Sequence, residues 1–476
     1  MKTRIIYKLI TILFVPLFLS GCAPPLKISK TENKSVPPSF NNSHDTTNAA
    51  SIKWKDYFND PNLAALIDTA LKNNQELNIT LQEINIAKNE VKFRKGEYLP
   101  FLGLKGGVGL EKAGRYTRNG AVDENINIKP GTKIPAPLTD NMFGAYASWE
   151  LDIWKKLRNA KKAAIIRYLS SIEGKNFMVT NLIAEISGSY YELMTLDNQL
   201  EIIQRNIEIQ GNALETIKQE KAAAKVTQLA VNRFEAQLLN TQNLQYNVQQ
   251  KIIETENRIN FLTGRYPQPI VRNSSAFSNI LIDSIYSGIP SELLEKRADI
   301  RQAELDLMAA KLDVKVAKAN FYPSVKITAG VGFQSFSPSF IVNPESMMFS
   351  LAGDLVAPLL NRNAIKATYY SSNSKQIQAV YNYERTILNA YIEVANQLSK
   401  INNYSKSYET KSKEVDILNQ SITISNNLFK SARADYMEVL LTQREALESK
   451  IDLIEIKLMQ LNAKVNIYRA LGGGWN

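Results

Sequence analysis

Cysteine and histidine occur once each in the 476 residues, as Cys22 and His44. Histidine triads, Cys–His pairs and Cys/His zinc clusters are therefore excluded, since each needs several such side chains together. A single cysteine forms no intrachain disulfide, so packing must hold the chain. Gly472-Gly473-Gly474 precedes no helix and cradles no phosphate; Gly107-Val108-Gly109 lacks the third glycine of a dinucleotide site. Carboxylates are plentiful, but on helical faces solvation accounts for them. Neither catalysis nor a cofactor or metal is expected. The remaining reactive group is the Cys22 thiol, and its setting is informative. Basic residues run up to Lys8, an apolar core spans Leu9 to Leu19, and Leu19-Ser20-Gly21-Cys22 follows.

That leader, residues 1–21, resembles a bacterial lipoprotein signal. The resemblance implies cleavage before Cys22, a diacylglycerol on its thiol, an N-acyl chain on its amine, and export. Ala23 in the next position, rather than Asp, is similar to outer-membrane lipoproteins. From Ala23 to about Ser51 the chain is rich in Pro, Ser, Asn and Thr. It lacks the apolar surface to order itself, so residues 22–51 are expected to be a tether, with His44 inside it. Net charge is +11, about +8 once Lys2, Arg4 and Lys8 leave with the leader. No basic run is interleaved with aromatics, so nucleic acid is not an expected partner.

The body is organised by a repeat. Arg158-Asn159-Ala160-Lys161-Lys162-Ala163 returns 204 residues later as Arg362-Asn363-Ala364-Ile365-Lys366-Ala367, each time after an alternating apolar segment and at the start of a long helical stretch. Pro100 with Gly107-Val108-Gly109 returns as Pro323 with Gly330-Val331-Gly332. The unit is too long for a solenoid and reads as an internal duplication: residues 52–264, then 291–470, with a linker at 265–290 and a tail at 471–476. Within each half, Lys155–Lys221 and Ala364–Lys430 are expected as helices of 67 residues, roughly 100 Å long. Shorter helices are expected over Pro61–Gly96, Gln228–Thr263, Ser291–Phe321 and Tyr436–Ala470. Two short helices end to end match one long one. Leu193, Leu196, Leu200, Ile203 and Ile207 step by three and four, as in a coiled-coil seam.

Four segments alternate with a two-residue period: 101–110, 142–151, 324–334 and 346–356. Leu102, Leu104, Val108 and Leu110 oppose Gly103, Lys105, Gly107 and Gly109; Val325, Ile327, Ala329, Val331 and Phe333 oppose Lys326, Thr328, Gly330, Gly332 and Gln334. Each is about ten residues, the length of a tilted strand crossing a bilayer. Four strands do not close a barrel, and open edges in hydrocarbon cost several kcal/mol per unpaired group. Closure then requires other copies, and a trimer would supply twelve strands. A soluble hairpin with one buried face is the competing explanation of the alternation.

The chain resembles the TolC-like outer-membrane efflux proteins, specifically the lipoprotein (NodT-type) subfamily serving resistance-nodulation-division pumps. The resemblance rests on Trp54 with Phe58-Asn59-Asp60-Pro61-Asn62-Leu63, Ser148-Trp149-Glu150-Leu151-Asp152-Ile153-Trp154, Ile289-Pro290-Ser291-Glu292-Leu293-Leu294, Phe321-Tyr322-Pro323 and the ending Leu471-Gly472-Gly473-Gly474-Trp475. It implies a mainly helical homotrimer whose strands form one outer-membrane barrel and whose coiled-coil helices continue it as a periplasmic tunnel. It also implies a belt formed by the 265–290 region and both chain ends, a periplasmic adaptor, and an inner-membrane pump reached through it. Where the family usually has glycine in the two tip turns, this chain has Ala224 and Ala432, and Ala298 stands where proline usually follows Arg297. Alanine in a left-handed turn costs roughly 1 kcal/mol more than glycine, so the turns are expected to change geometry or the helices to run further.

In such a duct a constriction is needed where the tunnel narrows. Arg433, Asp435 and Tyr436 at the second turn would repeat around a trimer axis and could close the resting tip by ion pairs and hydrogen bonds across subunits. Solvated turn residues would look the same, since exposed pairs contribute at most ~1 kcal/mol. Lys221, Ala224, Lys225, Thr227 and Ala432 form the expected adaptor-docking tip. A duct for small toxic molecules is the leading reading; a duct for exported polypeptide, or a pore-less coiled-coil lipoprotein, are the alternatives. The adjacent Met347 and Met348 face opposite ways on a strand and identify no metal substrate.

Overall fold

A computed structural model describes residues 30–40, 48–280, 288–431 and 433–475. Cys22, the leader, His44 and Ala432 lie outside them. In chain order the helices are α1 (Trp54–Phe58), α2 (Pro61–Asn73) and α3 (Gln75–Tyr98), followed by strand β1 (Phe101–Glu111). Next come α4 (Arg118–Asn125), the short strands β2 (Asn127–Lys129) and β3 (Thr132–Lys133), and β4 (Leu138–Leu151). Helices α5 (Lys156–Ala222) and α6 (Gln228–Leu262) complete the first half. The second comprises α7 (Leu293–Lys296), α8 (Ala298–Ala319), β5 (Ser324–Ser335), β6 (Met347–Val356), α9 (Asn363–Lys430) and α10 (Tyr436–Ala470).

The compact units do not follow the repeats, because each takes segments from both. One holds residues 85–169 and 305–380, hence the whole four-stranded sheet and the adjoining helical segments; the other holds 32–84, 170–304 and 381–476. The sheet order is β1-β4-β5-β6, antiparallel throughout, so the two repeats meet at β4 and β5.

Helix breaks follow local chemistry. Asp60 Oδ1 accepts the Asn62 and Leu63 amides and starts α2, with Pro61 in the first turn where its missing N–H has no role. The expected single helix from Pro61 to Gly96 is interrupted at Asn74 (ψ 125°), whose Oδ1 accepts the Leu77 amide and whose Nδ2 donates to Leu262 O. Asparagine recaps α3 there, which apolar periodicity does not reveal. The expected helix over Ser291–Phe321 also breaks, at extended Arg297 (ψ 119°), although no proline follows it to force the break. Buried polar contacts described below hold the break instead.

The second unit's core joins distant segments. Leu63, Ile67, Ile183, Tyr190, Met194, Ile259, Phe277 and Leu461 form one buried cluster, and Tyr57 stacks on Tyr468 at 4.2 Å. Part of the expected tether belongs to this unit. Phe40 is fully buried and stacks on Tyr391 at 5.3 Å, while Lys34 pairs with Glu304 and the Asn33 amide donates to Glu384. The buried Phe40 ring, the Lys34–Glu304 pair and the Asn33 amide bond together hold this arm, which low average hydrophobicity suggested would be loose.

Candidate functional site

The residues expected to carry function lie in two regions: the sheet and the pair of helical turns. Register puts Leu102, Leu104 and Val108 on the same face as Ala145, Phe143, Val331, Phe349 and Leu351. The opposite face carries Lys105, Tyr146, Thr328, Gln334, Ser350 and Asp354, with glycines between them. Among the described residues nothing covers the apolar face: Leu104 is 74% exposed, Val108 82%, Phe349 80% and Leu351 77%. A soluble sheet buries such a face, whereas hydrocarbon solvates it. That disposes of the soluble hairpin. Among the described residues no helix is long and apolar enough to cross a membrane.

Among the described residues the outer edges of β1 and β6 are unpaired. The sheet can also curl towards its polar side. Gly144 and Gly332 are cross-strand partners, and a Cβ on Gly144 would lie 2.7 Å from Val331 O, one on Gly332 2.5 Å from Phe143 O. Only glycine permits that approach.

All four strands meet their helices at one end of the sheet. Aromatic residues mark it: Trp149 Nε1 donates to Tyr98 O at 3.2 Å, Trp154 Nε1 donates to Pro323 O at 2.7 Å, and Trp154 stacks on Tyr322 at 4.6 Å. Amphipathic rings of this kind suit the water–hydrocarbon boundary. Just beyond β4, Asp152 opens α5 by accepting the Leu157 and Arg158 amides and the Arg158 Nε. Burial alone would raise its carboxyl; the Arg158 and Leu157 amides and the Arg158 guanidinium outweigh this and hold it below the usual carboxylate range.

At the first helical turn, just beyond the end of α5, Ala224 has φ 59°. The Ala224 amide donates to Lys221 O at 2.9 Å and the Lys225 amide to Glu220 O at 2.9 Å, the paired bonds of a Schellman end. The expectation that alanine would change the turn or extend the helix is thus corrected: the left-handed turn stays, because two hydrogen bonds offset its strain. Ala224→Gly should stabilise the protein by about 1 kcal/mol, read as a rise in melting temperature. In the second turn the Arg433 amide donates to Leu428 O at 2.9 Å, the same span of five residues.

The structure separates the expected tip residues by role. Arg433 and Asp435 are exposed, and neither side chain is in an ion pair among the described residues. Tyr436 is half-buried against Leu214, Ile217, Ala230, Val231 and Phe234, so it ties the second hairpin to the first. Lys221 Nζ donates to Gln228 across the first turn; Lys225 and Thr227 are exposed, and Thr227 caps α6 through its backbone without a side-chain bond.

A feature that sequence reasoning missed lies at the break before α8. Arg297 is buried and donates to Asp299 (2.7 and 3.0 Å), Glu393 (2.8 Å) and Ala470 O (2.9 Å), while Arg469 holds the second Glu393 oxygen. Gly472 (φ 91°) closes on it, since a Cβ there would meet Lys296 O at 2.7 Å. The 265–280 segment is fastened to this unit by Arg272 on Asp197 and Glu256 and by Lys457 Nζ donating to Ile280 O.

The sequence profile described as "Outer membrane efflux protein" matches residues 66–265 and 289–473. The solvent efflux pump outer membrane protein SrpC of Pseudomonas putida is 27% identical over 425 residues, covering 89% of this chain and 88% of that protein. The probable outer membrane lipoprotein SilC of Salmonella typhimurium is 25% identical, covering 95% and 93%. Among solved structures, the open state of the MtrE outer membrane channel of Neisseria gonorrhoeae superposes with a TM-score of 0.81 at 22% identity, covering 95% and 99%.

Proposed function

Because the chain belongs to the outer membrane efflux protein family, and so is an outer-membrane efflux component, we propose that three copies close a single twelve-stranded barrel that serves as a passive exit duct for small toxic compounds. The observation that carries this is the sheet: uncovered apolar residues on one face, polar residues and glycines on the other, and two unpaired edges. β1 and β6 run in opposite directions, so β6 of one copy meets β1 of the next as another antiparallel pair. Closure satisfies every edge and turns the polar face into a wet lumen. The substrate class is carried over from relatives such as the solvent-pump component. Lipid on Cys22 would supplement the barrel as an anchor.

At the tip, Arg433 and Asp435 would reach neighbouring copies around the axis while Tyr436 anchors their turn. The exposed surface of Lys221, Ala224, Lys225 and Thr227 would receive a periplasmic adaptor linked to an inner-membrane pump. Asp435→Ala should raise single-channel conductance in planar bilayers. Unchanged conductance would remove Asp435 from the gate.

A further inference from the structure

The charge of this chain is gathered in one place. The helical segments of the sheet-bearing unit, residues 85–98, 152–169, 305–323 and 357–380, contain 16 Lys and Arg against 5 Asp and Glu. Their surplus of +11 equals that of the entire chain, so everything else sums to zero. Arginines take up four of the five acids: Arg94 binds Glu90 and Glu97, Arg158 binds Asp152 and Arg167 binds Asp313. Lys156 pairs with Glu150 just inside β4, and six other lysines of these segments stand apart. Lys92, Lys95, Lys162, Lys315, Lys318 and Lys366 are exposed and in no ion pair among the described residues.

Their placement is repeated with the fold. Lys88, Lys92 and Lys95 stand 12, 8 and 5 residues before Pro100; Lys311, Lys315 and Lys318 stand at the same distances before Pro323. Steps of four and three put each triad on one helix face. Lys162 and Lys366 are likewise counterparts in the 204-residue repeat. Arg362 repeats Arg158 without its acid, since Val356 stands where Asp152 does, and its buried Nε and Nη2 have no hydrogen-bond partner among the described residues. At 1.5 Å per residue the triads begin about 8 Å from the strands, within one Debye length. Helices α5 and α9 run away from the sheet, so the Cα–Cβ bonds of Lys162 and Lys366 tilt back towards it.

We propose that these lysines form a collar that binds the anionic phospholipid headgroups of the leaflet on the helix side of the barrel. Charge complementarity supports that occupant, and so does continuity: the collar starts where the exposed apolar face and the Trp149, Trp154 and Tyr322 rings end. Each lysine near an anionic surface favours binding about fivefold. The inference rests on the barrel reading and adds to it a preference among lipids.

The test reconstitutes the full-length protein into phosphatidylcholine vesicles containing phosphatidylglycerol and compares spin-labelled forms of the two lipids by electron spin resonance. The motionally restricted fraction should favour phosphatidylglycerol at least about threefold and lose that preference in roughly 0.5 M salt. A variant carrying Lys92→Gln, Lys95→Gln, Lys162→Gln, Lys315→Gln, Lys318→Gln and Lys366→Gln should restrict as much lipid without preference. Equal affinity in the unmodified protein overturns the proposal, as does a preference insensitive to salt, which decides the matter even if the variant does not assemble. A variant that keeps its lipid preference but changes the ion selectivity of the channel would place the lysines in the lumen, and also overturns it. Absence of restricted lipid of either kind is the separate signature that the barrel reading has failed.

Discussion

Leu351→Arg is expected to leave almost no assembled protein in the outer membrane. Leu351 sits mid-strand in β6, opposite Ala329, and is 77% exposed on the apolar face. A guanidinium at the bilayer midplane costs about 2–4 kcal/mol in a barrel, and a trimer would meet that cost three times. The adjacent Ser350 lies on the other face, opposite Gly330. Ser350→Arg should therefore assemble and act instead on conductance. The pair separates lipid contact from general intolerance of arginine in β6. Equal assembly of both variants in membrane fractions would mean that the apolar face does not meet lipid.

The second large effect is expected in the unit that does not carry the sheet, at Arg297. Its side chain is only 7% exposed and ends between Asp299, Glu393 and the carbonyl of Ala470. Burial by itself disfavours the charged guanidinium, and hydrogen bonds and attraction from Asp299 and Glu393 more than reverse that. Arg297→Ala would leave those carboxylates and a helix-end carbonyl without their donor, a loss of about 3–5 kcal/mol. Urea unfolding of the detergent-solubilised protein should show it as a much lower midpoint. A loss under about 1 kcal/mol would mean that the network does not hold the α7–α8 break to the end of α10.

What the sequence shows and what it hides divide along physical lines. Strands β1, β5 and β6 and the long helices α5 and α9 are legible because solvent or lipid on one side imposes a period of two or of three and four on many residues. The interruptions at Asn74 and Arg297 are invisible to that signal. Each depends on one polar side chain finding partners many residues away, Leu262 O for Asn74 and Glu393 with Ala470 O for Arg297. Ala224 is a milder case, since the cost of alanine at positive φ is real but smaller than the two hydrogen bonds that the turn retains. The docking of Phe40 was hidden by averaging, because a segment poor in apolar residues can still be held by one buried ring with polar contacts beside it. At the tip, the identity of Arg433, Asp435 and Tyr436 suggested a common role. Packing divides them, since Tyr436 faces a cluster made by the other hairpin while the two charged residues face solvent.

Everything functional in this account depends on closure of the sheet by other copies of the chain. The most direct test is the mass of the purified particle in detergent, with the bound detergent subtracted. Three chains per particle is the predicted result, because only then do the free edges of β1 and β6 pair throughout twelve strands. A stable particle of one chain would contradict it, leaving two unpaired edges that hydrocarbon does not tolerate and no enclosed path for a substrate.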